Sequence, residues 1–130
     1  MKTRRSFLSG IGVLGASIFL PKTVKAAPAK DFMIHQVYFW LKNPEKDMKS
    51  FLKGCEDLIK IDSVKKAYIG KPAATSRREV VDHSFHVSLT VQFKNMEDHN
   101  IYQIHETHKE FIAKHEDKWE KVQVYDTKIE

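Results

Sequence analysis

The sequence predicts one α+β domain with the element order βαββαβ, and three observations predict it. Residues Met33 to Leu41 are rich in β-branched and aromatic side chains and contain no turn former. Met48, Phe51, Leu52, Cys55, Leu58 and Ile59 recur at spacings of three and four, the signature of an amphipathic helix. Phe85, Val87, Leu89, Val91 and Phe93 alternate with His86, Ser88, Thr90 and Gln92, the period of a half-buried strand. No internal repeat or low-complexity segment interrupts the order, which is the split βαβ arrangement of ferredoxin-like domains.

The first strand presents Met33, His35, Val37, Phe39 and Leu41 on one face and Ile34, Gln36, Tyr38 and Trp40 on the other. Both faces are largely apolar, so helices are expected on one side and a partner or ligand on the other. Asn43-Pro44-Glu45 then supplies an N-cap, a proline for the first helical position and an acid for the first turn, opening a helix that runs to about Lys60. Val64 to Ile69 is a short second strand closed by Gly70 and Pro72, followed by a loop to Arg78. The third strand covers Ser84 to Phe93. Asn95 caps a long second helical segment with Glu97 and Asp98 in its first turn, and the pattern continues to about Lys121. Val122 to Thr127 closes the chain as the fourth strand.

Ahead of the domain, Thr3-Arg4-Arg5-Ser6-Phe7-Leu8 resembles a twin-arginine (Tat) export signal. The apolar run from Phe7 to Leu20 has 14 residues and three glycines, too short for a membrane span of roughly 20 residues. Val24-Lys25-Ala26 offers small residues at cleavage positions, so residues 1–26 read as a Tat-type signal peptide, with Ala29 as the second choice of cleavage site. The expected destination is the periplasm, with no stable membrane anchor after cleavage. Residues 27–31 are small and polar and read as a flexible lead-in to a domain over 32–127.

Removing the signal changes the charge. The chain carries 22 cations, 17 acids and a net charge of +5, but five of the cations (Lys2, Arg4, Arg5, Lys22, Lys25) precede residue 27 and no acid does. The remaining 17 cations balance the 17 acids, which removes the electrostatic case for nucleic acid as a partner. Cys55 is the one cysteine, so neither an intramolecular disulfide nor a cysteine-rich zinc site exists, and its place on the apolar stripe marks a buried structural thiol.

The second helical segment carries the chemistry. Its apolar stripe reads Ile101, Ile104, His108, Phe111, Ile112, His115 and Trp119, so two stripe positions are histidines. Each can be a packed core residue with one nitrogen satisfied. His108 can alternatively face a pocket as a neutral imidazole, with an ordinary pKa of about 6.5, and act as a general base. His105 and His108, three apart, could share an ion, but no third ligand accompanies them at a recognisable spacing and the His-Glu-x-x-His pattern is absent, so no metal is assigned. Arg77 and Arg78 read as solvated loop charges, and Phe39, Trp40 and Trp119 as core or dimer contacts.

Ile34-His35-Gln36-Val37-Tyr38-Phe39, then Tyr102-x-x-His105-x-x-His108-x-x-Phe111, then Trp119 to Tyr125-Asp126 together resemble the stress-responsive dimeric α/β-barrel (Dabb) domain, over Phe32 to Thr127. The resemblance implies a ferredoxin-like fold whose sheets pair in a homodimer, a dimeric α/β barrel, which accounts for a first strand apolar on both faces. It extends distantly to the plant olivetolic acid cyclases, which close a ring by aldol chemistry with no cofactor. By position that likeness implies His108 as base, Tyr102 as the polarising hydroxyl, and His35 and His105 as substrate-binding residues. Those cyclases carry proline directly after the first helix histidine, where this chain has Glu106-Thr107. On an unbroken helix Tyr102 and His108 would point about 120° apart, so their convergence requires an irregular turn.

The function expected is an exported homodimer that binds a small, mostly apolar molecule, with cofactor-free acid/base chemistry of a cyclase or lyase kind at His108 and Tyr102. The alternative is a non-catalytic stress-response or ligand-binding protein in which His108 is a structural core residue. Because the same superfamily contains haem enzymes, haem ligation by a histidine is a third reading, although no haem motif accompanies it.

Overall fold

The computed structural model describes residues 31–130, so the signal-peptide reading of residues 1–26 lies outside the described residues. The elements are β1 (Phe32–Leu41), α1 (Pro44–Leu58), β2 (Lys66–Gly70), β3 (Val87–Phe93), α2 (Met96–Ile104), α3 (Glu106–His115), a 3-10 turn (Glu116–Lys118) and β4 (Trp119–Ile129). The four strands form one antiparallel sheet in the order β2-β3-β1-β4, the ferredoxin-like topology. Among the described residues no helix is long and apolar enough to cross a membrane.

The helices cover one face of the sheet. Met33, His35, Val37, Phe39 and Leu41 of β1 and Val87, Leu89, Val91 and Phe93 of β3 are buried beneath them, as the alternation predicts. From α1 the stripe Phe51, Cys55 and Leu58 completes this core, and Phe111 enters it from α3. Each buried Val, Leu, Phe or Met among them contributes roughly 1.5–3 kcal/mol through apolar burial. Cys55 is fully buried, and burial, with Glu56 adding to it, pushes its thiol up to about 12, which suits a packing residue and not a nucleophile. Asn43 makes no side-chain cap bond, leaving the start of α1 to Pro44 and to its own carbonyl, which accepts from Asp47 N–H at 2.9 Å. Asn95 does cap α2, accepting from Asp98 N–H at 2.8 Å.

Four expectations are corrected. β2 begins at Lys66 instead of Val64, because Ser63 and its neighbours finish the turn after α1, with Val64 N–H bonded to Ile61 carbonyl. β3 begins at Val87 instead of Ser84, because the His86 side chain replaces a rung of the ladder: its Nδ1 accepts from Leu41 N–H at 2.9 Å while its own N–H donates to Phe39 carbonyl, and Phe85, expected on the core face, packs against Tyr38 and Trp40 on the other one. β4 is longer than expected, pairing with β1 along its whole length from Leu41↔Trp119 to Phe32↔Ile129. The largest correction is the helical segment 95–121. It is two helices, broken at His105, and Ile101 and Ile104 are 44% and 70% exposed where the single stripe expected core. The break resets the helical phase, so the stripe holds only for Phe111, Ile112, His115 and Trp119, and Tyr102 takes the buried place in α2.

Candidate functional site

Four elements meet at one end of the helix–sheet interface. His35 projects from β1 toward the helices, and the antiparallel register puts Asp126 of β4 directly opposite it. His99 and Tyr102 lie one turn apart on α2, and Phe93 of β3 forms the wall behind them, its ring 5.5 Å from His99 and 5.0 Å from Tyr102. His108 comes from α3. The rings form a chain of edge-on contacts: His35 to His99 at 5.1 Å, His35 to Tyr102 at 5.9 Å and Tyr102 to His108 at 5.1 Å between centroids.

The break at His105 brings the last pair together. His105 has φ −65° and ψ 145°, an extended conformation that ends α2 and starts α3. Its Nδ1 accepts from Thr107 N–H at 3.0 Å, so this imidazole caps α3 in the manner of an N-cap oxygen. The irregular turn that Tyr102 and His108 need is therefore present without proline. His105 itself is half-buried and spends this nitrogen on the backbone, outside the chain of ring contacts.

Electrostatics set the protonation states. Burial lowers the His108 pKa, with His35 and His99 adding to the effect, so the imidazole is neutral at neutral pH. Burial pushes the Tyr102 phenol well above its ordinary value, with Cys55 second, so it stays protonated. His35 donates from Nδ1 to Asp126 Oδ1 at 2.6 Å; burial lowers its pKa and outweighs the opposing effect of that carboxylate. A neutral base beside a protonated hydroxyl is the pairing that proton abstraction next to a carbonyl needs.

Access comes from the other end of the cluster. A largely apolar cavity of about 450 Å³ is lined by Met33, Asn95, Met96, His99 and Asp126 among others. Tyr102 and His35 lie behind it, 1% and 5% exposed. Arg77 and Arg78 are exposed in the loop that precedes β3, along an open concavity remote in sequence from this cluster. His99 and Asp126 were not among the expected site residues. The spacing of His99 from Tyr102 was readable as a shared helix face, whereas Asp126, 91 residues from His35, is placed only by strand register. The donor atoms of His35, His99 and Asp126 lie within 4.8 Å of one another, the one group among the described residues with the makings of a metal site.

The sequence profile of the Stress responsive A/B Barrel Domain matches residues 33–129. No curated protein matches the chain. Among solved structures it is similar to a Dabb-family protein with a ferredoxin-like fold from Mesorhizobium loti, at 20% identity over 75% of this chain and 96% of that one, with a TM-score of 0.62. A dimeric protein of unknown function and ferredoxin-like fold from Bacteroides fragilis is 21% identical over 75% and 96%, with a TM-score of 0.59. The hydroxynitrile lyase of Passiflora edulis is 17% identical over 78% and 96%, with a TM-score of 0.66.

Proposed function

This chain belongs to the stress-responsive A/B barrel domain family, and on that premise we propose that it is an exported, periplasmic homodimer that performs cofactor-free acid/base chemistry on a small, mostly apolar carbonyl compound. One observation carries the reading: a neutral His108 imidazole stands against a protonated Tyr102 phenol, their ring centroids 5.1 Å apart. His108 takes a proton from the carbon beside the substrate carbonyl, the electron pair moves onto the carbonyl oxygen, and the Tyr102 hydroxyl donates a hydrogen bond to the charge that develops there. The enolate carbon then attacks a second carbonyl carbon of the same substrate, the C–C bond forms as that carbonyl's π pair moves onto its oxygen, and this oxygen takes the proton back from His108; the same steps reversed cleave the bond. The likeness to olivetolic acid cyclases supports this assignment, as does the similarity in fold to a hydroxynitrile lyase. His35 borders Tyr102 and serves the substrate as a pocket wall. His105 acts on the site through the helix break.

The competing reading is a non-catalytic binding protein in which His108 packs against Tyr102. It is favoured by the cavity, which reaches the cluster at His99 and Asp126 and leaves Tyr102 1% exposed. Deuterium exchange at the α-carbon of small ketones and aldehydes separates the two. Enzyme-dependent exchange that falls about 10²–10⁴-fold in His108→Ala, the range for losing a general base, and falls in Tyr102→Phe, supports catalysis. Exchange no faster than in buffer across the panel sinks it. Cell fractionation of the full chain with Arg4 and Arg5 both changed to Lys tests the export: the protein should stay in the cytoplasm.

A further inference from the structure

His35, His99 and Asp126 come from β1, α2 and β4 and meet beside the 450 Å³ cavity, which His99 and Asp126 themselves line. Two imidazoles and one carboxylate are a donor set that suits zinc, with a fourth position left to water or a ligand. We propose that these three residues bind one divalent transition-metal ion, zinc before others, with its open coordination position facing that cavity.

Three features of the cluster point to an ion beyond the identity of the donors. First, His99 Nε2 is buried and has no hydrogen-bond partner. A buried nitrogen left unpaired carries a desolvation penalty, and a metal bond would remove it. Its other nitrogen, Nδ1, is occupied by Asn100 Oδ1 at 3.1 Å, as an outer partner that fixes a ligating imidazole should be. Second, His35 and Asp126 are held 2.6 Å apart by one proton. A cation takes the place of that proton between Nδ1 and the carboxylate, and the imidazole proton moves to Nε2, so no net charge is lost from the ring. Third, the distances are within reach of side-chain rotation. Around a tetrahedral ion with bonds of roughly 2.0–2.1 Å the donors stand about 3.3 Å apart, so the 2.6 Å pair must open slightly and His99 must close from within 4.8 Å. Asp126 has the freedom for this, its side chain being 46% exposed. Lys128, at the cavity rim, pairs with Glu130 at 3.7 Å.

This inference does not rest on the acid/base reading, since neither Tyr102 nor His108 supplies a donor. The test is calorimetric titration of ZnCl₂ into the full chain after treatment with a chelator, near neutral pH, repeated with Co²⁺ to read its visible ligand-field bands. The expected result is saturation at one ion per chain. His99→Ala and Asp126→Asn should each weaken binding by about tenfold or more and abolish the cobalt spectrum. His108→Ala and His83→Ala should bind as the unaltered chain does, so a His108→Ala variant that loses exchange activity but keeps zinc separates this site from the acid/base pair. Absence of saturable binding in the unaltered chain overturns the proposal. So does binding that survives His99→Ala and Asp126→Asn, or that falls equally in His83→Ala, because either places the ion on surface histidines.

Discussion

Gly54 shows how tightly single positions are set. It lies on the buried face of α1, and a Cβ placed there would stand 2.5 Å from His115 Nε2, 2.9 Å from His115 Cδ2 and 3.1 Å from Phe111 Cδ1. His115 has little room to retreat: its ring packs 5.0 Å from Phe111 and 5.7 Å from Phe51, and its Nδ1 accepts from Lys118 Nζ at 3.1 Å. Alanine gains roughly 0.5–1 kcal/mol over glycine inside a helix, but forcing atoms into a packed contact costs about 1–3 kcal/mol. The clash wins, so Gly54→Ala should lower stability by about 1–2 kcal/mol in urea denaturation, with an unchanged m-value. A rise in the midpoint would refute this. Adding His115→Ala to the variant should make the two changes strongly non-additive, since the imidazole is the obstacle. The stripe position of His115 was readable from spacing, and so was its buried, packed character. The glycine that makes room for it was not, because nothing local distinguishes Gly54 from any other interruption of a helical pattern.

At the scale of elements, the break between α2 and α3 decides whether a site exists. Periodicity ran through His105 without pause, since no proline or glycine marks a stop there and the residues on either side form helices readily. The capping bond that opens α3, donated by Thr107 N–H to Nδ1 of His105, uses a side chain seldom read as a helix start. That is why the fold class and most elements were legible while Ile101 and Ile104 were misplaced and the convergence of Tyr102 with His108 stayed open. The conformation makes a specific demand. Glu106 is the first residue of α3, where proline is favoured, and His105 at ψ 145° already has the extended backbone that a residue before proline adopts. Glu106→Pro should therefore be accepted, changing stability by between zero and about +1 kcal/mol through the unfolded chain, with substrate-independent properties intact. His105→Ala should cost about 1 kcal/mol as a lost cap, and His105→Ser should restore most of it. Thermal or urea unfolding of the three variants decides the matter: a loss above about 3 kcal/mol in Glu106→Pro, the penalty for proline inside a helix, would mean that the segment runs as one continuous helix.

At the scale of the whole molecule, the sheet has a second face that no helix among the described residues covers. Ile34, Tyr38, Trp40 and Tyr125 share it with Phe85, and Tyr38 packs edge-on to Phe85 at 4.9 Å and to Tyr125 at 6.2 Å. Tyr125 and Tyr68 remain 56% and 64% exposed. Exposed aromatics on a sheet face mark an interface, so the chain should sediment as a dimer and Tyr125→Asp should shift it toward monomer; an unaltered monomeric chain would leave that face unexplained. Acid should loosen the whole fold for a separate reason. His108 and His115 both have pKa values lowered by burial: around His108 the neighbours His35 and His99 add to the effect, and around His115 Lys118 and Lys114 do so against Asp117 and Asp57. With folded values below the unfolded value of about 6.5, the unfolded chain binds more protons across that interval. Stability is therefore complete above the unfolded value and drains away as pH falls through it toward the folded values. Urea midpoints measured in chelator-containing buffer should hold steady from pH 8 to about 7 and then decline toward pH 5.5. Replacing His115 by Gln should flatten part of that slope while leaving the dimer intact. Midpoints that rise on acidification would mean that the buried imidazoles are charged in the folded protein, and would remove the neutral base on which the chemistry at His108 depends.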